Sequence, residues 1–206
     1  FSSTPTSGCR PLRVQFLNMS IAAISYLWDF DDGTTSTLIN PVHYFYKDTT
    51  YTITLIATNS FGCNDTMRHT IVVKNYPKTA FTANILSGCT PHKVLFNNTT
   101  TGAVRYFWDF GDGYVDTAKN PQHEYNNLLN VNQSYTVVLV SFNDIGCSDT
   151  LKTPITVYPR PKANYNFYQP VSCTSSRIQF SDMSTNAFTY LWNFGDGKTD
   201  TARSPY

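Results

Sequence analysis

The acidic residues that recur along this chain are the first candidates for chemistry. Asp29 and Asp32, Asp109 and Asp112, and Asp196 lie in short loops beside Gly33, Gly113 and Gly197. Closely spaced carboxylates in a loop are what calcium needs, because it takes six to eight oxygen ligands. Asp109 and Asp112 are the best pair for it. Asn193 stands where the third carboxylate pair would be completed, and no six-oxygen set is visible, so calcium at Asp109 and Asp112 is the alternative to a plain turn and no cofactor is expected. The four histidines, His43, His69, His92 and His123, are scattered and form no zinc-ligand spacing. No Gly-x-Ser-x-Gly, no Ser/His/Asp set and no phosphate-cradling glycine loop occurs. The reading is that the chain is not an enzyme.

These carboxylates sit in a repeat, and the repeat governs everything else. Tyr26-Leu-Trp28-Asp29-Phe-Asp-Asp32-Gly33 returns as Tyr106-Phe-Trp108-Asp109-Phe-Gly-Asp112-Gly113, and again as Tyr190-Leu-Trp192-Asn-Phe-Gly-Asp196-Gly197. Cys9, Cys89 and Cys173 follow the same offsets, as do Val14, Val94 and Ile178. Each Asp-Gly reads as a tight turn in which glycine supplies positive φ. Each Trp (Trp28, Trp108, Trp192) reads as the centre of a core, where a large indole packs far more often than it binds ligand.

The elements between the motifs alternate with a period of two. The segments from Tyr51 and from Tyr135 read as half-buried strands, and Val14-Gln-Phe, Val94-Leu-Phe, Ile71-Val-Val and Ile155-Thr-Val as shorter ones. Asp-Gly, Asn-Pro and Phe-Gly pairs separate them. Six or seven short strands in about 80 residues predict an all-β chain of tandem β-sandwiches in a linear array. The expected divisions are 1–79 for the first domain, 80–162 for the second and 163–206 for the first half of a third. Phe1 and Tyr206 both fall inside a repeat, so both ends read as cut.

The Trp-Asp-Phe-Gly-Asp-Gly block, followed by Asn120-Pro121-Gln122-His123 and a Tyr-Thr-Val strand, resembles the polycystic-kidney-disease (PKD) domain family. The likeness covers the whole chain. It implies immunoglobulin-like sandwiches that serve as spacers or adhesive modules of cell-surface proteins. The Gly-Cys before the second strand and the later Gly-Cys-x-Asp-Thr resemble arrays of Bacteroidetes adhesins and gliding-associated surface proteins. Asp31 departs from the pattern at the first motif glycine, Asn193 at the motif aspartate, and the third unit has no Asn-Pro-x-His. The implied function is a structural shaft of an extracellular adhesin or filament serving adhesion or gliding motility. A carbohydrate- or protein-binding module and an accessory domain of a secreted hydrolase are the alternatives.

In an immunoglobulin-like topology the second strand (B) and the sixth (F) run the same way. A cysteine before B (Cys9, Cys89) and one after F (Cys63, Cys147) then lie at opposite ends of a unit, separated by roughly 27 Å for eight residues, whereas bridged Cα atoms approach within about 7 Å. Stacking units head to tail brings the bottom of one to the top of the next. The expected disulfide is therefore Cys9–Cys147, with Cys9–Cys63 and Cys89–Cys147 as the alternative. Cys63 would reach a preceding unit and Cys89 a later cysteine of the third.

Five Asp-Thr pairs resemble the O-glycosylation signal of Bacteroidetes and mark Thr49, Thr66, Thr117, Thr150 and Thr201 as acceptors. Asp-Thr also suits turns by bonding nearby backbone. The formal charge of +1, with 14% charged residues against about 25% in ordinary domains, gives no electrostatic case for nucleic acid. No apolar run is long enough for a membrane span. Expected partners are neighbouring repeats of the same chain, with surface polysaccharide or other copies in a filament beyond them. An extracellular, cell-surface location follows.

Overall fold

A computed structural model describes residues 1–171 and 177–206. Cys173 lies outside the described residues. Among the described residues every regular element is a strand, and no helix is long and apolar enough to cross a membrane.

The first unit contains β1 (Ser2–Thr4), β2 (Ser7–Cys9), β3 (Leu12–Leu17), β4 (Ser25–Asp29), β5 (Thr35–Ser36), β6 (Val42–Phe45), β7 (Thr49–Thr58) and β8 (Asn64–Lys74). They form a three-stranded sheet, β1-β3-β6, and a five-stranded sheet, β2-β8-β7-β4-β5. The second unit repeats this with β9 (Phe81–Ala83), β10 (Ser87–Cys89), β11 (His92–Asn98), β12 (Arg105–Asp109), β13 (Val115–Asp116), β14 (Gln122–Tyr125), β15 (Gln133–Phe142) and β16 (Ser148–Tyr158). Its sheets run β9-β11-β14 and β10-β16-β15-β12-β13. The third unit holds β17 (Tyr165–Tyr168) paired with β18 (Gln179–Asp182), and β19 (Trp192–Asn193) paired with β20 (Thr199–Asp200).

Alternation decides which face of each strand is buried. β3 buries Leu12, Val14 and Phe16 and exposes the residues between them. β7 buries Tyr51, Ile53 and Leu55, which meet Ile71 and Val73 of β8, Phe45 of β6 and the fully buried Trp28. The second core has the same plan, with Val94, Phe96, Val137, Leu139, Ile155 and Val157 around Trp108. Each unit therefore carries its own core.

Eight strands form in each complete unit rather than the six or seven expected, and the added one is informative. The Ser-Gly-Cys segments β2 and β10 lie parallel to the last strand, with Cys9 opposite Lys74 and Cys89 opposite Tyr158. The middle glycine permits this close approach. A Cβ on Gly8 would collide with Leu12, and one on Gly88 with the His92 ring. His92 occupies the core position that Leu12 fills in the first unit.

Trp192 differs from its two counterparts. It packs on Tyr165 and Phe180 but stays partly exposed. Trp108 is covered because β12 pairs with β15, which sets Leu139 opposite it. No equivalent of β15 stands beside β19 among the described residues.

Candidate functional site

The motif carboxylates and their glycines build a turn at the end of the Trp strand. Asp29 Oδ1 accepts from the Asp31 N–H at 2.9 Å, and Asp109 Oδ1 accepts from Gly111 N–H at 2.9 Å. Asn193 Oδ1 accepts from Gly195 N–H at 3.0 Å in the same way. An amide thus does the work of the carboxylate, so this position must supply an acceptor oxygen and not a charge. Two residues on, Asp32, Asp112 and Asp196 accept from the N–H groups of Thr34, Tyr114 and Lys198. Gly33, Gly113 and Gly197 have φ of 88°, 94° and 87°.

The second carboxylate oxygen of Asp32 and Asp112 is taken by histidine. His43 Nε2 donates to Asp32 Oδ2 at 2.7 Å, and His123 Nε2 donates to Asp112 Oδ2 at 2.7 Å. Each imidazole lies flat on the motif phenylalanine, His43 on Phe30 at 4.1 Å and His123 on Phe110 at 4.2 Å. Burial works to raise the Asp32 carboxyl, yet hydrogen bonds from Thr34 and His43 outweigh it and hold the group below its ordinary value. Burial pushes the Tyr125 phenol upward, with the Asp112 charge adding to it. The recurrence of Asn-Pro-x-His at a fixed distance from Asp-Gly was the signal for this pairing. The recurrence alone names no partner for the histidine.

Asp109 and Asp112, the pair considered for calcium, spend three of their four oxygens on their own turn and on His123. Among the described residues no group of three His, Cys, Asp or Glu side chains is arranged to hold a metal. The indole of each Trp completes the motif. Trp28, Trp108 and Trp192 donate Nε1–H to the carbonyls of Leu38, Ala118 and Ala202 at 2.8–2.9 Å.

One turn position is unequal between units, and it yields a prediction. Gly111 has φ of 80°, and a Cβ there would stand 2.7 Å from Thr136 O and 2.8 Å from Thr136 N. In the first unit Asp31 holds this position at φ 62° and accepts from Thr52 N–H at 2.8 Å. Gly111→Ala is expected to cost the second unit about 2 kcal/mol or more, combining left-handed strain with the backbone clash. Gly113→Ala, whose Cβ meets nothing within 4 Å, should cost about 1–2 kcal/mol. Urea denaturation of both variants checks the order.

The junction between units is the other candidate site. The sulfurs of Cys9 and Cys147 are joined, with Cα atoms 5.7 Å apart. Beside the bridge, Asn143 Nδ2 donates to the Asn75 carbonyl at 2.9 Å, and Lys74 Nζ lies 3.8 Å from Asp144 Oδ2. Only residues 75–77 separate β8 from the isolated bridge of Lys78 with Thr101, so Lys78 and Thr79 are already tied into the second unit. Thr79 N–H donates to Asp149 Oδ2 at 2.9 Å, which is the main reason this carboxyl lies below its ordinary value. A polar cleft of about 430 Å³ opens here, lined by Arg10, Lys74 and Lys78 against Asp48 and Asp144. Cys63 and Cys89 are free and exposed.

Asp32 and Asp149 set an acid limit. Their folded-state values lie below the unfolded ones, so their contribution is complete above the ordinary carboxylate range near pH 4. It is lost as pH falls through the lowered folded values. The thermal midpoint should therefore drop below about pH 4, and Asp149→Asn should flatten part of that drop. A midpoint unchanged to pH 2.5 would contradict this.

All five Asp-Thr threonines, Thr49, Thr66, Thr117, Thr150 and Thr201, are solvent-exposed.

Tandem sandwiches of a three- and a five-stranded sheet, each centred on one Trp, define a pair of immunoglobulin-like modules joined end to end. Residues 7–74 and 77–157 each match the PKD domain, and the chain belongs to that family. It is 44% identical over 57 residues to collagenase ColA of Bacillus cereus, covering 28% of this chain and 6% of that protein. It is 42% identical over 50 residues to the microbial collagenase of Vibrio alginolyticus, covering 24% and 6%. Among solved structures, the PKD1 domain of Vibrio cholerae metalloprotease PrtV is 31% identical, with 40% of this chain and 98% of that one covered and a TM-score of 0.34. The chain spans a small fraction of the curated relatives it matches. The matched segments are PKD domains.

Proposed function

We propose that this chain is a structural spacer: a segment of a shaft in an extracellular, cell-surface protein, holding an adhesive or motility function away from its anchor. The observation that supports this most is the junction. A covalent bridge, a side-chain hydrogen bond and a three-residue connection all converge on one end-to-end contact. The motif residues that looked able to do chemistry are instead spent on turns and core polar bonds. On this reading the domains divide near 79 and 162, neighbouring repeats are the principal partners, and glycans on Thr49, Thr66, Thr117, Thr150 and Thr201 sheathe the shaft.

A second reading has a specific observation behind it. The curated relatives include collagenases and a metalloprotease, so the same spacer could serve as an accessory segment of a secreted hydrolase. A binding role would use the outer sheet face of the second unit, where Arg105 lies over the Phe142 ring beside the exposed Phe107. Small-angle scattering and a glycan and collagen array on the 206-residue chain separate these. Rod-like scattering with no array signal supports the spacer. A saturable signal abolished by Phe107→Ser would replace it with a binding module. Intact-mass measurement of native material tests the glycans, and a bare polypeptide mass would remove them.

A further inference from the structure

The polar cleft at the junction is walled by both complete units. Arg10, Asp48 and Lys74 come from the first, Lys78 and Asp144 from the second, and Tyr76 from the connection between them. The backbone beneath these side chains is pinned. Arg10 N–H donates to the Lys74 carbonyl at 3.0 Å, and Asn75 N–H donates to Asp48 Oδ2 at 3.0 Å. Lys78 and Thr101 exchange two backbone hydrogen bonds at 3.0 and 3.2 Å. With the Cys9–Cys147 bridge and the bond from Asn143 to Asn75, these contacts hold the two walls together.

The charges of the cleft are unevenly used. Asp48 has one oxygen on the Asn75 N–H, and Asp144 faces Lys74 at 3.8 Å. Among the described residues no carboxylate comes within salt-bridge distance of Arg10 or Lys78. Three cations against two carboxylates leave one positive charge. Two acceptors are also unspent: the second oxygen of Asp48, and Asn75 Oδ1, which is buried without a hydrogen-bond partner. An unpaired buried acceptor costs free energy until a donor meets it. Tyr76, 54% exposed, adds an open aromatic ring. The next joint does not carry this set, because Thr90 and Tyr158 stand at the positions of Arg10 and Lys74.

An occupant that matches this lining brings one negative charge, hydroxyl donors and a ring that can lie on tyrosine. A polyphosphate is disfavoured, because Asp48 and Asp144 repel its additional charge. A neutral sugar leaves the charge of Arg10 and Lys78 unmatched. We propose that the junction cleft binds an acidic sugar residue, a hexuronate unit of a polysaccharide. Its carboxylate pairs with Arg10 on one wall and Lys78 on the other, and the planar guanidinium suits a carboxylate in particular. Ring hydroxyls donate to Asp48 and, by rotation of its amide, to Asn75. The less polar face of the sugar ring lies on Tyr76. The cleft volume of about 430 Å³ falls within the roughly 300–1,000 Å³ of small-molecule sites. Neither unit alone supplies both cations, so the site exists only where the two are joined.

This site is additional to the spacer role. The test is an NMR titration of the 206-residue chain with trigalacturonate and with trimannuronate, following the Thr101 and Asn143 amides. At least one of the two should bind saturably. Its methyl ester keeps the rings and hydroxyls but loses the charge, and should bind at least about tenfold more weakly, the loss expected of one charge-assisted hydrogen bond. Arg10→Gln and Lys78→Gln, both at exposed sites, should each weaken the uronate by a similar factor, and Tyr76→Ser should weaken it as well. Lys119→Gln and Phe107→Ser, neither of which lines the cleft, should leave binding unchanged. The proposal is overturned by no saturable shift with either uronate, or by sulfate binding as tightly, which would mark a bare anion site. It is equally overturned if Arg10→Gln, Lys78→Gln or Tyr76→Ser has no effect, or if Lys119→Gln or Phe107→Ser weakens binding as much as they do. Each of these results leaves the spacer reading in place, because that reading is tested by rod-like scattering.

Discussion

Reducing the Cys9–Cys147 bridge is expected to lengthen the fully pulled chain about threefold, on an extended-chain scale of 3.3–3.6 Å per residue. The bridge spans a sequence separation of 138. Tension entering at Phe1 reaches Cys9, crosses the bridge, and leaves through Cys147 toward Tyr206. Everything between the two cysteines is taken out of the load path, including β3 to β8 of the first unit and β9 to β15 of the second. At about 3.4 Å per residue the oxidised chain extends to roughly 240 Å and the reduced chain to about 700 Å. The same bridge holds the unit ends within a Cα separation of 5.7 Å, which a short linker alone would not do. Single-molecule force extension with and without reductant reads the difference directly. Equal contour lengths in the two conditions would mean that the bridge carries no load.

The second large effect is at the tryptophans. Trp28 and Trp108 are fully buried and central to their clusters. Replacing either by Ala removes a large apolar surface, leaves a cavity and orphans the Leu38 or Ala118 carbonyl. A cost of about 3–5 kcal/mol is expected for each, a large share of the roughly 5–15 kcal/mol that holds a domain. Trp192→Ala should cost less than either, because its ring is already partly in water and the transfer term scales with area removed from water. Urea unfolding followed by far-ultraviolet circular dichroism separates the three. Similar losses at Trp108 and Trp192 would show that burial does not set the scale.

Local pattern reads well where each residue answers only to its neighbours. The alternation of Leu12, Val14 and Phe16, and of Tyr51, Ile53 and Leu55, fixes which side of a strand is apolar before any partner is known. The Asp-Gly turns read for the same reason, since positive φ is a property of the residue itself. The parallel edge strands β2 and β10 were not legible. Three residues carry no usable period, and their place depends on Gly8 and Gly88 lying against Leu12 and His92 across the fold. The bond from His43 to Asp32 was half visible: the spacing recurs, but only the return of β6 alongside β3 turns the imidazole onto Phe30.

The sequence by itself determined the repeat, the all-β character, the turn residues and the core tryptophans, because each depends on local period, backbone preference or copy number. Tertiary structure decided which acceptors the motif carboxylates satisfy, how deeply each Trp is covered, and which sulfurs lie within bonding distance. Those are matters of separation between residues far apart in the chain, and separation is set by how sheets pack and units stack, which no local pattern encodes.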